Sequence, residues 1–168
     1  MTDRELFARL KILIVDDSAE MRNVLAALLE SMGVGAILSA ASGEKGLELF
    51  CSEAPDLIIT DGSMRPMDGY ELTRRVRNGE CPNGNGDCHD RDVPVLMISG
   101  HVGPEMVRLA RDNGVTDYIG KPIMAATLYE RVLAAVSKPI HIVETKAYRG
   151  PSPRRRLVPH MSIDPLSE

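Results

Sequence analysis

Residues 11–17 read KILIVDD, a run of apolar side chains that ends in two neighbouring aspartates. A short apolar run that stops at polar residues predicts a strand buried inside a sheet. Similar runs recur further along the chain, at residues 35–40 (GAILSA), 56–61 (DLIITD), 93–98 (VPVLMI) and 116–119 (TDYI). The sequence therefore predicts five short strands, of which the second is the least apolar.

Helical patterns follow each of the predicted strands. Apolar residues recur at helical spacing in residues 18–32, 42–53, 70–78, 104–113 and 125–137. Ser18 is a suitable N-cap for the first of these helices, and Gly33 is suited to end it. Strands that alternate with helices predict a parallel sheet covered on both faces, which is a doubly wound α/β fold. In such folds the functional residues gather outside the carboxyl ends of the strands.

The charge distribution divides the chain into an acidic body and a basic tail. From residue 138 onward there are six Lys or Arg against three acidic residues, so the tail carries +3 and the body −7. An acidic body argues against DNA binding. We expect one domain over residues 1–137 and an extended Pro/Arg-rich tail over 138–168. About 30 residues are too few for the usual DNA-binding output domain, so no separate output domain is expected.

The cysteines and the N-terminus give an expectation about location. Cys51, Cys81 and Cys88 form a sparse, odd-numbered set that suggests no disulfide framework, and Cys51 is expected in the core. The N-terminus lacks the apolar stretch of a signal peptide, and no apolar run reaches the ~20 residues of a membrane span. These features predict a protein of the reducing cytoplasm that makes no membrane contact.

Polar residues stand at the end of four of the five predicted strands. Asp16 and Asp17 end the first strand, Asp61 ends the third, Ser99 follows the fourth and Lys121 follows the fifth. Carboxylates that converge repel each other unless a cation lies between them, and a hard divalent cation such as Mg²⁺ suits oxygen ligands. An aspartate can also attack phosphorus as a nucleophile. The arrangement predicts a Mg²⁺-dependent phosphoryl-transfer site.

In this order and spacing the residues resemble the receiver domains of two-component response regulators. The resemblance covers roughly residues 10–137 and implies a flavodoxin-like sheet with strand order 2-1-3-4-5. Its motifs are Asp16-Asp17, Asp61 followed by Met64 and Met67-Asp68-Gly69, Ser99, Tyr118 and Lys121-Pro122. The variant Arg65–Gly69 and the tail segments 145–151 and 154–156 resemble single-domain, chemotaxis-like receivers of alphaproteobacteria.

The resemblance implies a role for each of these positions. Asp61 would accept the phosphoryl group, and Mg²⁺ would be held by Asp16, Asp17, Asp61 and the backbone carbonyl of Ser63. Ser99 and Lys121 would contact the phosphoryl group, and Lys121–Pro122 would be a cis peptide. Tyr118 would be drawn inward when Ser99 moves, which would reshape the surface of residues 104–137.

The resemblance also implies the partners of the protein and the way it signals. A histidine kinase or a histidine phosphotransfer protein would donate the phosphoryl group to a stand-alone, non-enzymatic regulator. Output would follow through an unidentified protein, through a relay or through a phosphorylation-dependent dimer.

Several residues depart from the usual receiver pattern or allow a second interpretation. Arg65 separates Met64 from Pro66, which predicts an altered loop in which a solvated Arg65 is favoured over one that points at the phosphate. Gly100 replaces the usual alanine, and His101 near the mouth of the site is either a plain exposed residue or a modulator of water access. A mobile surface loop is favoured over a zinc site for the group Cys81, Asp87, Cys88, His89 and Asp90, and a solvated tail over a binding site for Arg154–Arg156.

Two other functions fit part of the site. A haloacid-dehalogenase-type phosphatase also uses an aspartate nucleophile with Mg²⁺, but its second aspartate follows the nucleophile by two residues, where this chain has Ser63. The other alternative is a receiver-like binding module that is never phosphorylated, for which the Arg65-Pro66 change is the only support. The discriminating observation is Mg²⁺-dependent labelling of Asp61.

Overall fold

A parallel sheet forms the centre of the protein. The computed structural model describes residues 1–82, 90–137, 142–151 and 160–161. The strands of its main sheet are β1 (Lys11–Val15), β2 (Ala36–Ala40), β3 (Leu57–Asp61), β4 (Val95–Ser99), β5 (Asp117–Gly120) and β8 (His160–Met161). Their order in the sheet is β2-β1-β3-β4-β5-β8, and every neighbouring pair is parallel. The predicted order 2-1-3-4-5 is confirmed, and β8 adds a two-residue strand beyond β5.

Helices α2 to α6 are the five predicted ones, and α1 was not predicted. Their bounds are α1 (Asp3–Ala8), α2 (Ala19–Ser31), α3 (Gly43–Glu53), α4 (Gly69–Asn78), α5 (Pro104–Asp112) and α6 (Ala125–Ser137). Ser18, Ser42 and Asp68 each accept a hydrogen bond from a backbone N–H of the first turn that follows, which fixes where α2, α3 and α4 begin. Within the described parts of the chain, no helix combines the length and the apolar character that crossing a membrane requires.

Alternate residues of the strands build two apolar cores, one on each face of the sheet. Ile12 and Ile14 of β1 pack with residues of α2 and α6, whereas Leu13 and Val15 pack with residues of α3 and α4. Burial on both faces explains why the central strands are apolar at nearly every position. The polar strand ends are therefore the exception, and all of them lie at one edge of the sheet.

Helix α1 closes the end of one core. Thr2 and Glu5 form a reciprocal capping box, in which each side chain accepts a hydrogen bond from the other residue's backbone N–H. Phe7 is fully buried, and its ring stacks on Tyr129 of α6 at 5.1 Å between centroids. The aromatic contact and the capping box make a six-residue helix stable, although it would be marginal in isolation.

Part of the predicted tail folds back onto the domain. Strands β6 (Ile142–Glu144) and β7 (Arg149–Pro151) pair antiparallel. The guanidinium of Arg149 binds Glu144 at 2.6 Å within this hairpin and Asp92 of the domain at 2.7 Å. Over residues 142–151 the predicted tail therefore forms a docked hairpin. The Arg154–Arg156 run lies outside the described residues.

One cysteine prediction is wrong, because Cys51 and Cys81 form a disulfide. Cys51 is near the end of α3, and Cys81 follows α4, with Cα atoms 6.0 Å apart. Cys51 is only partly buried at the edge of the core. Thirty residues separate the two cysteines, so their closeness comes from packing of α3 on α4, which sequence spacing does not reveal. The disulfide also removes the cysteine argument for a reducing compartment.

Reduction of the disulfide should lower the free energy of unfolding by about 3–4 kcal/mol, since the bond closes a loop of about thirty residues in the unfolded chain. Urea unfolding with and without a phosphine reductant measures the difference. Cys51→Ser should abolish the reductant effect, and Cys88→Ser should preserve it. Equal unfolding midpoints in wild-type protein that is verified as oxidised and as reduced would contradict the prediction.

Candidate functional site

The carboxyl ends of β1 and β3 bring three aspartates together. Asp16 and Asp17 follow β1, and Asp61 is the last residue of β3. Each offers a carboxylate oxygen within 4.8 Å of the other two, a separation that one bridging cation can span. Asp16 is 2% exposed and Asp61 is 7% exposed, whereas Asp17 faces solvent. The predicted acidic cluster is therefore present, with one open side.

Asp16 is held in an environment that disfavours its negative charge. Burial raises the pKa of its carboxyl, and the neighbouring carboxylates of Asp61 and Asp17 raise it further. The backbone N–H of Ser18, which donates to Asp16 at 2.8 Å, and the charge of Lys121 lower the pKa again, but they do not outweigh burial. A cation among the three carboxylates would remove this cost.

Lys121, which follows β5, adds a positive charge to the site. Its Nζ donates to Oδ1 of Asp61 at 3.3 Å, and its backbone N–H donates to the Ser99 carbonyl at 2.8 Å. The Lys121–Pro122 peptide is cis, as the resemblance implies. The end of β4 therefore positions Lys121, whose Nζ faces the carboxylate of Asp61, the predicted nucleophile.

Ser99 and Tyr118 are joined through the backbone of a single residue. The His101 N–H donates to Ser99 Oγ at 3.1 Å, and the Tyr118 hydroxyl donates to the His101 carbonyl. Tyr118 is fully buried, so its ring is in the inward position. The side chain of His101 is exposed. A displacement of Ser99 would therefore be transmitted to Tyr118 through the backbone of one residue.

The loop after β3, which contains the variant motif Arg65–Gly69, borders the site. The Arg65–Pro66 peptide is cis, and Arg65 is exposed, which agrees with the favoured solvated interpretation. Asp17, Ser63 and Arg65 line the same groove of about 530 Å³ at the mouth of the site. The Met64 and Met67 side chains pack with core residues of α3 and α4, and this packing anchors the altered loop to the domain.

Asp68 and Gly69 of the receiver-like motif position the start of α4 at the site. Asp68 caps α4 by accepting from the Glu71 N–H at 2.8 Å. A Cβ at Gly69 would lie 2.2 Å from the carbonyl oxygen of Asp61, so only glycine lets α4 begin against the end of β3. A sequence signal for this contact does exist, because Gly69 follows a strand that ends in Asp61.

The zinc site, the less favoured interpretation of the Cys81–Asp90 group, has no support among the described residues. Cys81 is in the disulfide, and Asp87, Cys88 and His89 lie outside the described residues. Within the part of the chain that the structure describes, Asp16, Asp17 and Asp61 form the one cluster with metal-binding spacing.

Comparison with known proteins agrees with the fold. Residues 12–133 match the family described as the response regulator receiver domain. Chemotaxis protein CheY-3 of Vibrio cholerae is 34% identical over 123 residues, which cover 73% of this chain and 88% of that protein. The solved receiver domain of the histidine kinase CKI1 from Arabidopsis thaliana, in complex with Mg²⁺ and BeF₃⁻, has a TM-score of 0.65 and 27% identity, with 81% of this chain and 95% of that chain covered.

This chain belongs to the response regulator receiver domain family and is a module of two-component signalling. A protein-glutamate methylesterase/protein-glutamine glutaminase of Natronomonas pharaonis is 36% identical over 111 residues, which are 65% of this chain but only 28% of that protein. The chain spans about half the length of another curated relative. Family membership disfavours the phosphatase alternative, whose acidic residues follow a different order.

Proposed function

We propose that Asp61 accepts a phosphoryl group from a phosphohistidine donor in a Mg²⁺-dependent reaction. The carboxylate oxygen of Asp61 would attack phosphorus, the P–N bond to the donor histidine would break, and the imidazole would leave with the bond's electron pair. The observation that carries the proposal is the cluster of Asp16, Asp17 and Asp61 within 4.8 Å, with Lys121 Nζ 3.3 Å from Asp61. Phosphoryl transfer depends on charge neutralisation, which Lys121 and a cation held by the three carboxylates would provide.

The oxygen donors fit Mg²⁺ better than a softer metal, because the three clustered side chains are all carboxylates. Asp16, Asp17, Asp61 and the carbonyl of Ser63 would hold the ion. When bound, it would supply positive charge to the phosphoryl oxygens. Lys121 would exchange its present contact with Asp61 for a phosphoryl oxygen, and Ser99 would donate its hydroxyl hydrogen to another.

Signal output would follow from the connection between Ser99 and Tyr118. A change at Ser99 would act on Tyr118 through the His101 backbone and alter the surface of α5, β5 and α6. We propose that this chain acts in the cytoplasm as a phosphoryl-accepting regulator rather than as an enzyme. Its donor would be a histidine kinase or a histidine phosphotransfer protein, and its output a protein partner, a relay or a phosphorylation-dependent dimer. No DNA contact is expected of a body with this acidic charge.

Incubation with acetyl phosphate tests the proposed activity. The intact mass should increase by one phosphoryl group in the presence of Mg²⁺ and stay unchanged when EDTA is present. Removal of excess acetyl phosphate should then let the mass return to its starting value as the acyl phosphate hydrolyses. Absence of any mass increase with Mg²⁺ would favour the binding module that is never phosphorylated.

Asp16→Asn should stabilise the Mg²⁺-free protein, by on the order of 1 kcal/mol, and remove its response to Mg²⁺. The pKa of Asp16 is raised in the folded protein, so at pH values above this raised pKa its ionised form lowers the free energy of unfolding. Asparagine cannot ionise and therefore removes this cost. Thermal unfolding at pH 7 should show that Mg²⁺ raises the Tm of the wild type and of the control Asp112→Asn but not of Asp16→Asn. A Mg²⁺ shift that persists in Asp16→Asn would contradict the ligand assignment.

A further inference from the structure

The disulfide between Cys51 and Cys81 borders a groove between α3 and α4. The groove has a volume of about 360 Å³, and Cys81 lines it whereas Cys51 does not. Both cysteines are only partly buried. A small thiol that enters the groove therefore meets the sulfur of Cys81 first.

The same groove touches the loop that follows the candidate phosphoacceptor Asp61. Met67 of this loop is one of the lining residues. A Cβ on Gly43, the first residue of α3, would lie 2.9 Å from the Met67 side chain, so the loop packs closely on α3. Met67 belongs to the core cluster of α3 and α4, and Cys51 and Cys81 pack against that cluster. The disulfide and the loop are therefore connected through the contact of the two helices.

The surroundings of Cys51 suit the leaving sulfur of a thiol–disulfide exchange. Its Sγ lies 3.5 Å from the backbone carbonyl oxygen of Glu80. A disulfide sulfur has no hydrogen to donate to this oxygen, whereas a thiol has one. Reduction therefore gives Cys51 a hydrogen-bond acceptor that is already in place.

The charges of the groove discriminate among thiols. Its described lining residues include three acids and one cation, namely Glu44, Glu48, Glu80 and Arg75. Arg75 is paired with Glu71 at 2.8 Å, which offsets part of its charge. The groove is therefore negative, and it repels a thiol that carries further negative charge more strongly than one that does not.

We propose that Cys51–Cys81 is a redox site for a dithiol with no acidic group near its sulfurs, and that the disulfide holds the loop after Asp61 in place. A thiolate of the dithiol attacks Sγ of Cys81, the S–S bond breaks, and its electron pair leaves on Cys51, which takes up a proton. The second thiol of the reductant then attacks the mixed disulfide and releases Cys81 as a thiol. The dithiol is oxidised to a disulfide, and the protein gains two thiols.

Reduction by small thiols of different charge tests the route through the groove. The thiolate of cysteamine has no net charge, and that of 2-mercaptoethanesulfonate has two negative charges. Oxidised Cys88→Ser protein is used, because it excludes exchange with the third cysteine. At low salt, the ratio of the two rates per thiolate, cysteamine over sulfonate, should fall roughly 5-fold in Glu44→Gln/Glu48→Gln. Glu30→Gln/Glu130→Gln is the matched control, because both residues are exposed on other helices, and its ratio should not change. Equal ratios in all three proteins would overturn the route.

Trapping of the mixed disulfide tests which sulfur is attacked. Brief treatment with cysteamine is followed by N-ethylmaleimide and peptide mapping. We expect cysteamine on Cys81 and maleimide on Cys51. Cysteamine on Cys51, or a disulfide that resists cysteamine until urea unfolds the protein, would overturn the redox site.

NMR of methionine methyl groups tests the hold on the loop without any phosphorylation. In the folded protein, reduction should shift and broaden the Met64 and Met67 resonances, because α3 and α4 are no longer joined. Met21 is the control, since it packs against the core on the opposite face of the sheet, and its resonance should not change. Identical Met64 and Met67 resonances in the oxidised and the reduced protein would overturn the effect on the loop.

The consequence for labelling rests on the proposed function. Reduced, folded protein should be labelled by acetyl phosphate and Mg²⁺ at roughly one fifth of the oxidised rate, because a looser loop positions Asp61 less well. Reoxidation should restore the rate, and Cys51→Ser should show the reduced rate with or without reductant. Equal rates in the two redox states would overturn the control of the site by the disulfide. Absence of labelling in both states would count against the proposed function, while the methyl spectra would still decide the hold on the loop.

Discussion

Asp61→Asn should reduce phosphoryl incorporation from acetyl phosphate to below about one hundredth of the wild-type level, because an amide lacks the anionic oxygen that attacks phosphorus. The variant should still fold, since it removes one of three crowded negative charges and keeps the shape of the side chain. Its far-UV circular dichroism and urea midpoint check this. Intact-protein mass spectrometry at several times after Mg²⁺ and acetyl phosphate are added measures the incorporation.

Asp68→Asn is the matched control for that experiment. Asp68 follows the same loop, but its carboxylate caps α4, and asparagine is an equally good N-cap. The control should be labelled at nearly the wild-type rate. Equal labelling of Asp61→Asn and wild type would show that the phosphoryl group is attached elsewhere and would remove the proposed role of Asp61.

Arg77→Met should destabilise the fold by about 3 kcal/mol. Arg77 is 1% exposed, and burial lowers its pKa to about 10. Its guanidinium donates to the carbonyls of Gly114 at 3.1 Å, Arg91 at 2.9 Å and Val93 at 2.6 Å, and to Thr116 Oγ1 at 3.4 Å. Methionine fills much of the space but leaves these buried acceptors without their donor.

The comparison that isolates this effect is Arg74→Met on the same helix. Arg74 is exposed, so its loss should change the free energy of unfolding by less than about 0.5 kcal/mol. Urea unfolding of both variants gives the two values. Arg77 anchors the amino ends of β4 and β5, away from Asp61, so folded Arg77→Met should keep its Mg²⁺-dependent labelling. Similar stability of the two variants would show that relief of the desolvated charge offsets the lost hydrogen bonds.

The elements that place the site could be predicted because the local signals agree with the packing. Ser18, Ser42 and Asp68 are side chains that cap helices, and apolar strands on both faces of a sheet need no alternation. Polar residues at the ends of such strands can only meet at one edge. The sequence pattern predicts this topology, and the topology brings Asp16, Asp61 and Lys121 together.

The features that were missed depend on contacts between distant parts of the chain. Arg77 of α4 is buried because carbonyl groups from the segments that precede β4 and β5 surround it, and no local signal in the sequence indicates this. The β6–β7 hairpin is held by Arg149 on Asp92, 57 residues away in sequence. Helix α1 is different, since the Thr2 and Glu5 capping box was a local signal that could have been read.

Borohydride trapping tests the central claim most directly, because it reports the residue that carries the phosphoryl group. Wild-type protein is treated with acetyl phosphate and Mg²⁺ and then with sodium borohydride, which reduces an aspartyl phosphate to homoserine. It is then digested and mapped by tandem mass spectrometry. We predict homoserine at position 61, dependent on both acetyl phosphate and Mg²⁺. Homoserine at position 16 or 17, or unmodified Asp61 in protein whose intact mass shows a phosphoryl group, would contradict the account.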